Sequence, residues 1–412
     1  MEKKASAILL AFLLAQSLIC AQIKPSATYK YASRDTCDLY LDIYNPAEQS
    51  DKPSVIFVFG GGFVGGERDG KGYLPWFEKL TEDGYRVISI DYRLGLKGMG
   101  NIGYQDIGLI YNAVEMGVED LYDATTWLVQ NSDELGIDPN ALVVSGSSAG
   151  AIISLQAVWH IANRDAITER LPKDFEYAGA MSFAGAIFSR SGKVRYNNPP
   201  CPTLFLHGTA DKVVTYKQIS LFRNHFTGSK VLAKTYAKNG YNYNILRYDG
   251  NGHTIASAFL QSYPEQLRFL ETNVAGKKKR IVDALLKDPS IPKDKLLSTK
   301  QLYSDNEAPK QDTMKIAEPT TPNVPTVPTE PSVTDQAYSP STLIIFYDPS
   351  VGADPLRKAI KDYKAEVLYE YNNFNGFAIS IPDGSKIEDA ITYFNSVKGV
   401  LAVNRDAIYH LD

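Results

Sequence analysis

Short apolar runs alternate with amphipathic stretches along residues 27 to 275 of the chain. Several runs are almost continuous and rich in β-branched residues, a pattern typical of parallel strands buried on both faces of a sheet. Helical stretches lie between them, at 121–136 and 151–164. This alternation predicts an α/β fold with an open, mostly parallel sheet and helices on both sides. The predicted strands are YLDIY (40–44), SVIFVF (54–59), YRVISIDY (85–92), ALVVSG (141–146), YAGAMSFAG (177–185), TLFLHG (203–208) and YNILRYDG (243–250).

The composition of the chain changes after about residue 300. Residues 306–341 are rich in proline and threonine and have few large aliphatic side chains, so we predict an extended linker over 300–340. Beyond the linker, residues 341–412 follow a strand–helix–strand–strand–helix–strand pattern, which is the order of a small ferredoxin-like α+β domain. The sequence therefore predicts a large domain over 22–290 and a small domain over 341–412.

The first 21 residues have the features of a secretory signal peptide. Two lysines precede a short apolar run, and the sequence around Ala21 suits cleavage after that residue. An alternative is a lipoprotein anchored at Cys20, although Ile19 is bulky for the position before a lipidated cysteine. We therefore expect a secreted or periplasmic protein whose mature chain has no transmembrane segment.

Charge and cysteine content narrow the classes of function. The formal net charge is -4, so no basic field argues for nucleic acid. No histidines and cysteines have the spacing of a metal site, and we expect neither metal nor cofactor. Residues 98–103 spell GxGxxG but begin too far after a predicted strand for a dinucleotide site, so we predict a flexible loop. Cys37 and Cys201 remain after signal cleavage, either as one disulfide or as two separate buried thiols.

The segment VVSGSSAGAIIS, residues 143–154, places a Gly-x-Ser-x-Gly motif between a predicted strand and a predicted helix. Such a strand–turn–helix is the nucleophile elbow, in which a serine hydroxyl projects from the edge of a sheet. Its glycines let the strand and the helix pass closely without a Cβ clash. The spacing selects Ser148, which has Gly146 and Gly150 two residues to either side, over its neighbour Ser147. Ser148 is therefore the candidate nucleophile.

Two later loops supply a candidate acid and a candidate base. The segment HGTADKVV (207–214) follows a predicted strand and contains Asp211, and the turn GNGH after the last strand contains His253. Of the five histidines in the chain, His253 alone has a loop position suited to a mobile imidazole. His207 ends a predicted strand, where we expect it to pack or to brace a loop. The order serine, aspartate, histidine is that of α/β-hydrolases.

A third glycine-rich segment, FGGGF (59–63), directly follows a predicted strand. Its glycines would let backbone N–H groups face a negative charge that develops on a substrate oxygen. The residue after the candidate nucleophile would add another donor. The candidate oxyanion-hole donors are therefore the N–H groups of Gly61, Gly62 and Ala149.

Together these segments resemble the α/β-hydrolase esterases, notably the carboxylesterase and hormone-sensitive-lipase-like groups, over about residues 36–275. The resemblance implies an α/β-hydrolase fold, a catalytic triad of Ser148, His253 and Asp211, and hydrolysis of carboxylic esters through an acyl-enzyme. We expect a small-molecule ester or an ester attached to a glycan as the substrate. The acyl and alcohol groups are not specified by these motifs.

Two positions depart from the pattern of those esterases. Phe59 stands where relatives commonly have a histidine that braces the glycine loop, so the departure concerns loop support and not the backbone donors. Ser147 stands where many relatives carry an acidic residue. Neither departure removes a member of the candidate triad.

The C-terminal segments NGFAISIPD (375–383) and SVKGVLAVNRDAIYHL (396–411) resemble the subtilase propeptide and protease-inhibitor family. That resemblance implies docking of residues 341–412 on a subtilisin-like protease. The alternative is a stabilising or secretion-related appendage with no protease partner. Two alternatives to an esterase follow. One is a non-catalytic or protease-binding scaffold that works through the C-terminal domain, and the other is a serine peptidase on the same fold.

Overall fold

The computed structural model describes residues 22–99, 107–221, 223–293, 337–348, 351–371 and 376–408. The chain divides into two compact units, Met1–Ala308 and Pro309–Asp412, and each is described by itself. The predicted signal peptide, most of the predicted linker and most of the GxGxxG loop lie outside the described residues. Within the described part, no helix has the length and apolar character that a membrane span requires.

A mixed sheet forms the centre of the large unit. The strands of this unit are β1 (Ala27–Ser33), β2 (Asp38–Tyr44), β3 (Ser54–Val58), β4 (Arg86–Ile90), β5 (Leu142–Ser147), β6 (Gly179–Phe183), β7 (Ala186–Ser189), β8 (Thr203–Gly208), β9 (Gln218–Leu221), β10 (Asn224–Gly228), β11 (Tyr243–Tyr248) and β12 (Val282–Leu286). Nine of them pair in the order β1-β2-β4-β3-β5-β6-β8-β11-β12. Only β2 runs antiparallel to its neighbours, β1 and β4, and the remaining pairs are parallel. The predicted fold class is therefore confirmed.

All the strands predicted from apolar runs are present, with ends that differ by a few residues. The strands that the sequence did not predict have a different character. Side chains of β12 alternate between partly buried and exposed positions, and those of β1 do so up to the buried Tyr31, because these strands form the two edges of the sheet. Strands β7, β10 and β9 are short and form a separate antiparallel sheet.

Helices cover the faces of the large sheet. They are α1 (Leu74–Glu82), α2 (Ile107–Gln130), α3 (Ser132–Leu135), α4 (Ala149–Asn163), α5 (Ser229–Asn239) and α6 (Tyr263–Arg268), with 3₁₀ turns at Pro139–Ala141, Ala166–Arg170 and His253–Ser257 and a π-helical turn at Phe269–Ala275. Helix α4 is buried on almost every side, which explains why its sequence lacks an amphipathic period. It follows β5 directly and carries the residues after the predicted nucleophile.

Aromatic side chains form much of the core between α1 and the sheet. The ring of Phe57 on β3 lies 5.3 Å from the rings of both Trp76 and Phe77. Trp76 also stacks 4.8 Å from Phe259, and its indole N–H donates a hydrogen bond of 2.8 Å to Gln266. These contacts join the strand before the glycine loop to the segment that follows His253.

The small unit is a four-stranded antiparallel sheet with two helices. Its elements are β13 (Ala337–Tyr347), α7 (Asp354–Asp362), β14 (Glu366–Tyr371), β15 (Gly376–Ser380), α8 (Ile387–Asn395) and β16 (Val400–Ile408). The strand order β14-β15-β13-β16 is the ferredoxin-like arrangement that the sequence predicts. Strand β13 begins inside the segment 300–340 that we predicted as a linker. Its pairing with β16 is irregular between Tyr338 and Leu343, around Pro340, as expected where a proline removes a ladder donor.

Candidate active site

The turn between β5 and α4 has the strained geometry of a nucleophile elbow. Ser148 has φ 51° and ψ -115°, which side-chain-bearing residues rarely adopt, and its N–H donates a hydrogen bond of 2.9 Å to the carbonyl of Phe183. A Cβ on Gly146 would lie 2.2 Å from the carbonyl oxygen of Gly150, and a Cβ on Gly150 would lie 2.0 Å from that of Val58. Both glycines of the motif are therefore required by close backbone contacts.

The structure brings the predicted nucleophile, base and acid together. Ser148 Oγ lies 2.8 Å from His253 Nε2, and His253 Nδ1 lies 2.8 Å from Asp211 Oδ2. Because an ionised carboxylate only accepts hydrogen bonds, Nδ1 carries the ring hydrogen and Nε2 can accept the serine proton. The residues sit in loops that follow β5, β11 and β8. Parallel strands end at the same edge of a sheet, which is why loops distant in sequence meet here.

The candidate acid is held by several donors. Oδ1 of Asp211 accepts hydrogen bonds from the backbone N–H groups of Val213 and Val214, at 2.9 and 3.0 Å. Oδ2 lies 3.3 Å from Nε2 of His207, in addition to its contact with His253. Burial raises the pKa of Asp211, but the hydrogen bonds from His207 and His253 outweigh burial and hold that pKa well below its usual range. The carboxylate is therefore ionised whenever the imidazole of His253 can work as a base.

Close packing at the end of β8 positions the candidate base. A Cβ on Gly208 would lie 2.2 Å from the carbonyl oxygen of Gly252, so the turn that carries His253 rests directly on the end of the strand. Ser147, the neighbour of the nucleophile, donates a hydrogen bond of 2.7 Å from its hydroxyl to the carbonyl of Ala256. The position that is acidic in many resembling esterases thus joins the elbow to the histidine turn.

The glycine loop after β3 lies against the elbow. An ideal Cβ on Gly60 would come within 3.2 Å of the Cβ of Ser148. Gly61 and Gly62 follow with φ of 136° and 62°, conformations that favour glycine. Ala149 is the first residue of α4, where N–H groups have no partner within the helix and the helix dipole is positive. The loop that carries Gly61 and Gly62 and the helix N-terminus at Ala149 therefore both adjoin the candidate nucleophile.

An aromatic pair braces this loop where resembling esterases commonly use a histidine. The ring of Phe59 is buried and lies 4.5 Å from the ring of Tyr92, whose hydroxyl donates a hydrogen bond of 3.1 Å to the carbonyl of Phe59. The hydroxyl of Tyr73 accepts a hydrogen bond of 3.1 Å from the N–H of Gly60. Loop support is therefore retained by different side chains.

The far end of the loop is fixed by an ion-pair cluster that the sequence analysis missed. Arg68 Nε lies 2.9 Å from Asp42 Oδ2, and Arg68 Nη1 lies 2.8 Å from Asp91 Oδ2. Ser89 donates a hydrogen bond of 2.7 Å to the carbonyl of Arg68. The signal available in the sequence is Asp42, a charged residue inside an otherwise apolar strand, which is expected to need a partner when buried.

The described residues hold no cluster of histidine, cysteine, aspartate or glutamate side chains that could bind a metal ion. Cys37 and Cys201 are separate free thiols, but the expectation that both are buried is wrong, because Cys37 is exposed.

Comparisons with known proteins find similarity to esterases and lipases over part of the chain. Residues 41–185 match the model of the family described as BD-FAE. The chain is 34% identical over 120 residues to fumonisin B1 esterase of Sphingopyxis macrogoltabida, which covers 27% of this chain and 21% of that protein. It is 30% identical over 149 residues to the human (Homo sapiens) bile salt-activated lipase, covering 34% of this chain and 19% of the lipase.

The match therefore spans only about a fifth of the length of these curated relatives. Among solved structures, the apo form of Thermogutta terrifontis esterase 2 aligns with 63% of this chain and 97% of its own, at 21% identity and a TM-score of 0.45. The stretch matched by the family model contains the glycine loop and the nucleophile elbow, the parts that carry the candidate nucleophile and its backbone donors.

Proposed function

We propose that this chain, whose large unit is an α/β-hydrolase similar to esterases, is a serine carboxylesterase. One observation carries the proposal: an unbroken hydrogen-bonded series from Ser148 through His253 to Asp211, with both contacts at 2.8 Å. The series lies beside a glycine loop and a helix N-terminus, the arrangement that acyl transfer requires. Similarity to proteins named as esterases and lipases supports the same activity.

In the proposed reaction, Ser148 Oγ attacks the ester carbonyl carbon while His253 Nε2 accepts the hydroxyl proton. Asp211 orients the imidazole and stabilises its charged form. The N–H groups of the glycine loop and of the first residue of α4 hold the negative oxygen of the tetrahedral intermediate. His253 then protonates the leaving alcohol as the carbon–oxygen bond breaks. Water repeats the sequence on the acyl-enzyme and releases the carboxylic acid.

For the substrate, we propose soluble esters and acyl groups attached to glycans. The predicted signal peptide supports this choice, because an enzyme outside the cytoplasm meets acylated polymers. We propose a secreted or periplasmic location on the same basis.

The proposal is tested by hydrolysis of chromogenic esters from acetyl to decanoyl, together with a feruloyl ester, by residues 22–412. Ser148→Ala should lose about 10⁴-fold or more in kcat/KM, as expected when the nucleophile of a triad is removed. Ser257→Ala, an exposed serine in the histidine turn, is the matched control and should retain activity. If residues 22–412 hydrolyse none of these esters, the esterase proposal is contradicted, and peptide substrates should be tested next.

The ferredoxin-like small unit supports a second proposal, an interaction module that binds a subtilisin-like protease. The supporting observations are its strand order and the resemblance of residues 375–383 and 396–411 to protease inhibitors. Titration of subtilisin with the full chain should give saturable binding or inhibition. If the full chain neither binds nor inhibits subtilisin, the proposal that the small unit binds a subtilisin-like protease is contradicted.

A further inference from the structure

We propose that His207 is a positioning residue for Asp211, and that it sets how readily His253 accepts a proton in the active site. This inference rests on the proposed function, because it assigns His253 the role of the base. It concerns a histidine that does not approach the reacting atoms and acts only through the candidate acid.

The contacts of His207 define which ring nitrogen carries a hydrogen. The side chain is wholly buried at the end of β8. Its Nε2 lies 3.1 Å from the carbonyl oxygen of Val214 and 3.3 Å from Asp211 Oδ2. Both partners only accept hydrogen bonds, so Nε2 carries a hydrogen. It donates this hydrogen to the carbonyl of Val214, and Asp211 Oδ2 lies beside it at ion-pair distance. On the other side of the ring, Nδ1 lies 2.8 Å from the hydroxyl of Ser229, the first residue of α5.

This arrangement directs two imidazole rings at one carboxylate oxygen. Asp211 Oδ2 receives the Nδ1–H of His253 at 2.8 Å and faces the Nε2–H of His207 at 3.3 Å. The other oxygen, Oδ1, already accepts two backbone hydrogen bonds. The carboxylate is therefore restrained at both oxygens, and the orientation that it imposes on His253 is restrained with it.

Sharing Oδ2 also has an electrostatic consequence. A donor on the carboxylate reduces the negative charge available to stabilise the protonated form of His253. Removal of the His207 donor leaves more of the negative charge of Asp211 to stabilise the protonated form of His253. The pH at which the His253 ring becomes neutral should therefore rise.

Other charged groups near His207 come from the elements packed around it. The loop after β8 brings Tyr216, whose ring lies 5.5 Å from the His207 ring, and α5 brings Lys230, 6.0 Å from that tyrosine ring. On β11, Arg247 stands in register with His207 and pairs with Asp283 at 2.5 Å. These groups have partners of their own, whereas Asp211 faces His207 directly.

Two substitutions distinguish the effect of the His207 hydrogen-bond donor from the effect of the size of its ring. His207→Phe keeps an aromatic ring and removes both nitrogens, whereas His207→Gln restores an N–H donor near the position of Nε2. For p-nitrophenyl acetate, we expect His207→Phe to lower kcat by about tenfold with little change in KM. The acid limb of the pH profile of kcat/KM should shift to higher pH by ~0.5–1. His207→Gln should reverse most of this shift and most of the loss in kcat.

A second readout does not depend on catalysis. Titration of the downfield Nδ1–H resonance of His253 by proton NMR, without substrate, reports the same protonation event in the resting protein. Its midpoint should rise in His207→Phe and return in His207→Gln. If His207→Phe does not fold, as judged by circular dichroism, the comparison of wild type with His207→Gln and Ser229→Ala replaces it. Ser229→Ala should raise the midpoint, because the hydroxyl that fixes the ring is lost.

The possible results separate this inference from the proposed function. An acid limb and an NMR midpoint that stay at the wild-type values in every folded variant would overturn the role of His207. If the wild type hydrolyses no ester, the esterase proposal fails, and the NMR midpoint alone then decides whether His207 tunes His253. Equal shifts in His207→Phe and His207→Gln would also overturn the inference, because the donor would then be irrelevant.

Discussion

The carbonyl oxygen of Gly65 lies 2.0 Å from the point where a Cβ on Gly61 would stand. Gly61 has φ 136°, and its own carbonyl accepts hydrogen bonds of 3.1 and 3.2 Å from the N–H groups of Val64 and Gly65. The glycine loop is thus folded tightly back on itself beside Ser148. Any side chain at position 61 would have to open the loop and move the backbone donors that we assign to the oxyanion hole.

Gly61→Ala should therefore lower kcat by about 10²–10³-fold, the loss seen when one oxyanion donor is removed. Gly65→Ala is the matched control in the same loop, because a Cβ there has no heavy atom within 4 Å. Steady-state hydrolysis of p-nitrophenyl acetate measures both variants. Equal losses at the two positions would show that the loop tolerates no change at all and would contradict a specific role for Gly61.

The hydrogen bond of 2.7 Å from Ser147 to the carbonyl of Ala256 predicts a second effect on catalysis. Ser147→Ala leaves this buried carbonyl without a partner, which should cost about 1–3 kcal/mol in the free energy of unfolding. The turn that carries His253 also gains freedom, so kcat should fall by roughly tenfold while KM changes little. Urea unfolding and steady-state kinetics measure the two effects. Ser257→Ala should show neither, since its exposed hydroxyl donates to the carbonyl of Thr254 within the same turn.

The Arg68 cluster predicts a larger effect on stability. Arg68→Met would leave the buried carboxylate of Asp42, which is 2% exposed, without its cation. The free energy of unfolding should fall by about 3 kcal/mol, because an uncompensated buried charge remains. Arg68→Lys should recover only part of this loss, because one ammonium cannot contact both carboxylates as the guanidinium does.

The control for Arg68 is the exposed pair of Lys30 and Asp38, separated by 3.5 Å. Lys30→Met should leave the free energy of unfolding almost unchanged, as expected for a solvated ion pair. A loss in Lys30→Met as large as that in Arg68→Met would mean that burial of Asp42 does not control the effect.

A buried histidine away from the active site predicts how stability depends on pH. His160 Nδ1 lies 2.6 Å from Asp165 Oδ2, and Nε2 lies 3.1 Å from Glu115 Oε1. Burial lowers the pKa of His160, but the hydrogen bonds to these carboxylates outweigh burial and raise it to about 9. The folded value lies above the unfolded value of about 6.5. The stabilisation is therefore complete below about pH 6.5 and is lost as pH rises through the folded pKa.

Between these limits the free energy of unfolding should fall by about 2–3 kcal/mol, less than the full pKa difference because Asp165 is partly exposed to solvent. Chemical denaturation at a series of pH values from 6 to 10 measures the decline. His160→Gln should lack this part of the pH dependence. A decline of the same size in the variant would assign it to other groups.

The two cysteines predict the pattern of thiol labelling. Cys37 is exposed, whereas burial raises the pKa of the Cys201 thiol to about 12. In residues 22–412, a maleimide should modify one thiol quickly and the other only after unfolding, because the thiolate is the reactive form. Cys37→Ser should remove the fast reaction. If neither thiol reacts before reduction, the two cysteines are joined in a disulfide.

Much of the large unit could be predicted from local patterns. Strands at the centre of a parallel sheet are buried on both faces, so β3, β5 and β8 appear as continuous apolar runs. The edge strands β1 and β12 carry exposed side chains at alternate positions and lose that signal. The short strands β7, β9 and β10 of the large unit are stabilised by pairing with one another, and no local sequence pattern indicates this pairing.

The candidate site likewise contains residues that could be identified from the sequence and contacts that only the tertiary structure shows. The sequence by itself determined Ser148, because the spacing of two glycines around a serine is a local requirement of a strained turn. Chain order and loop position then selected Asp211 and His253. Only the tertiary structure decided that His207 faces Asp211 and that Arg68 pairs with Asp42. Hydrogen bonds and ion pairs depend on distances of a few ångströms between side chains, and these distances are set by how strands and loops pack, not by their separation along the chain.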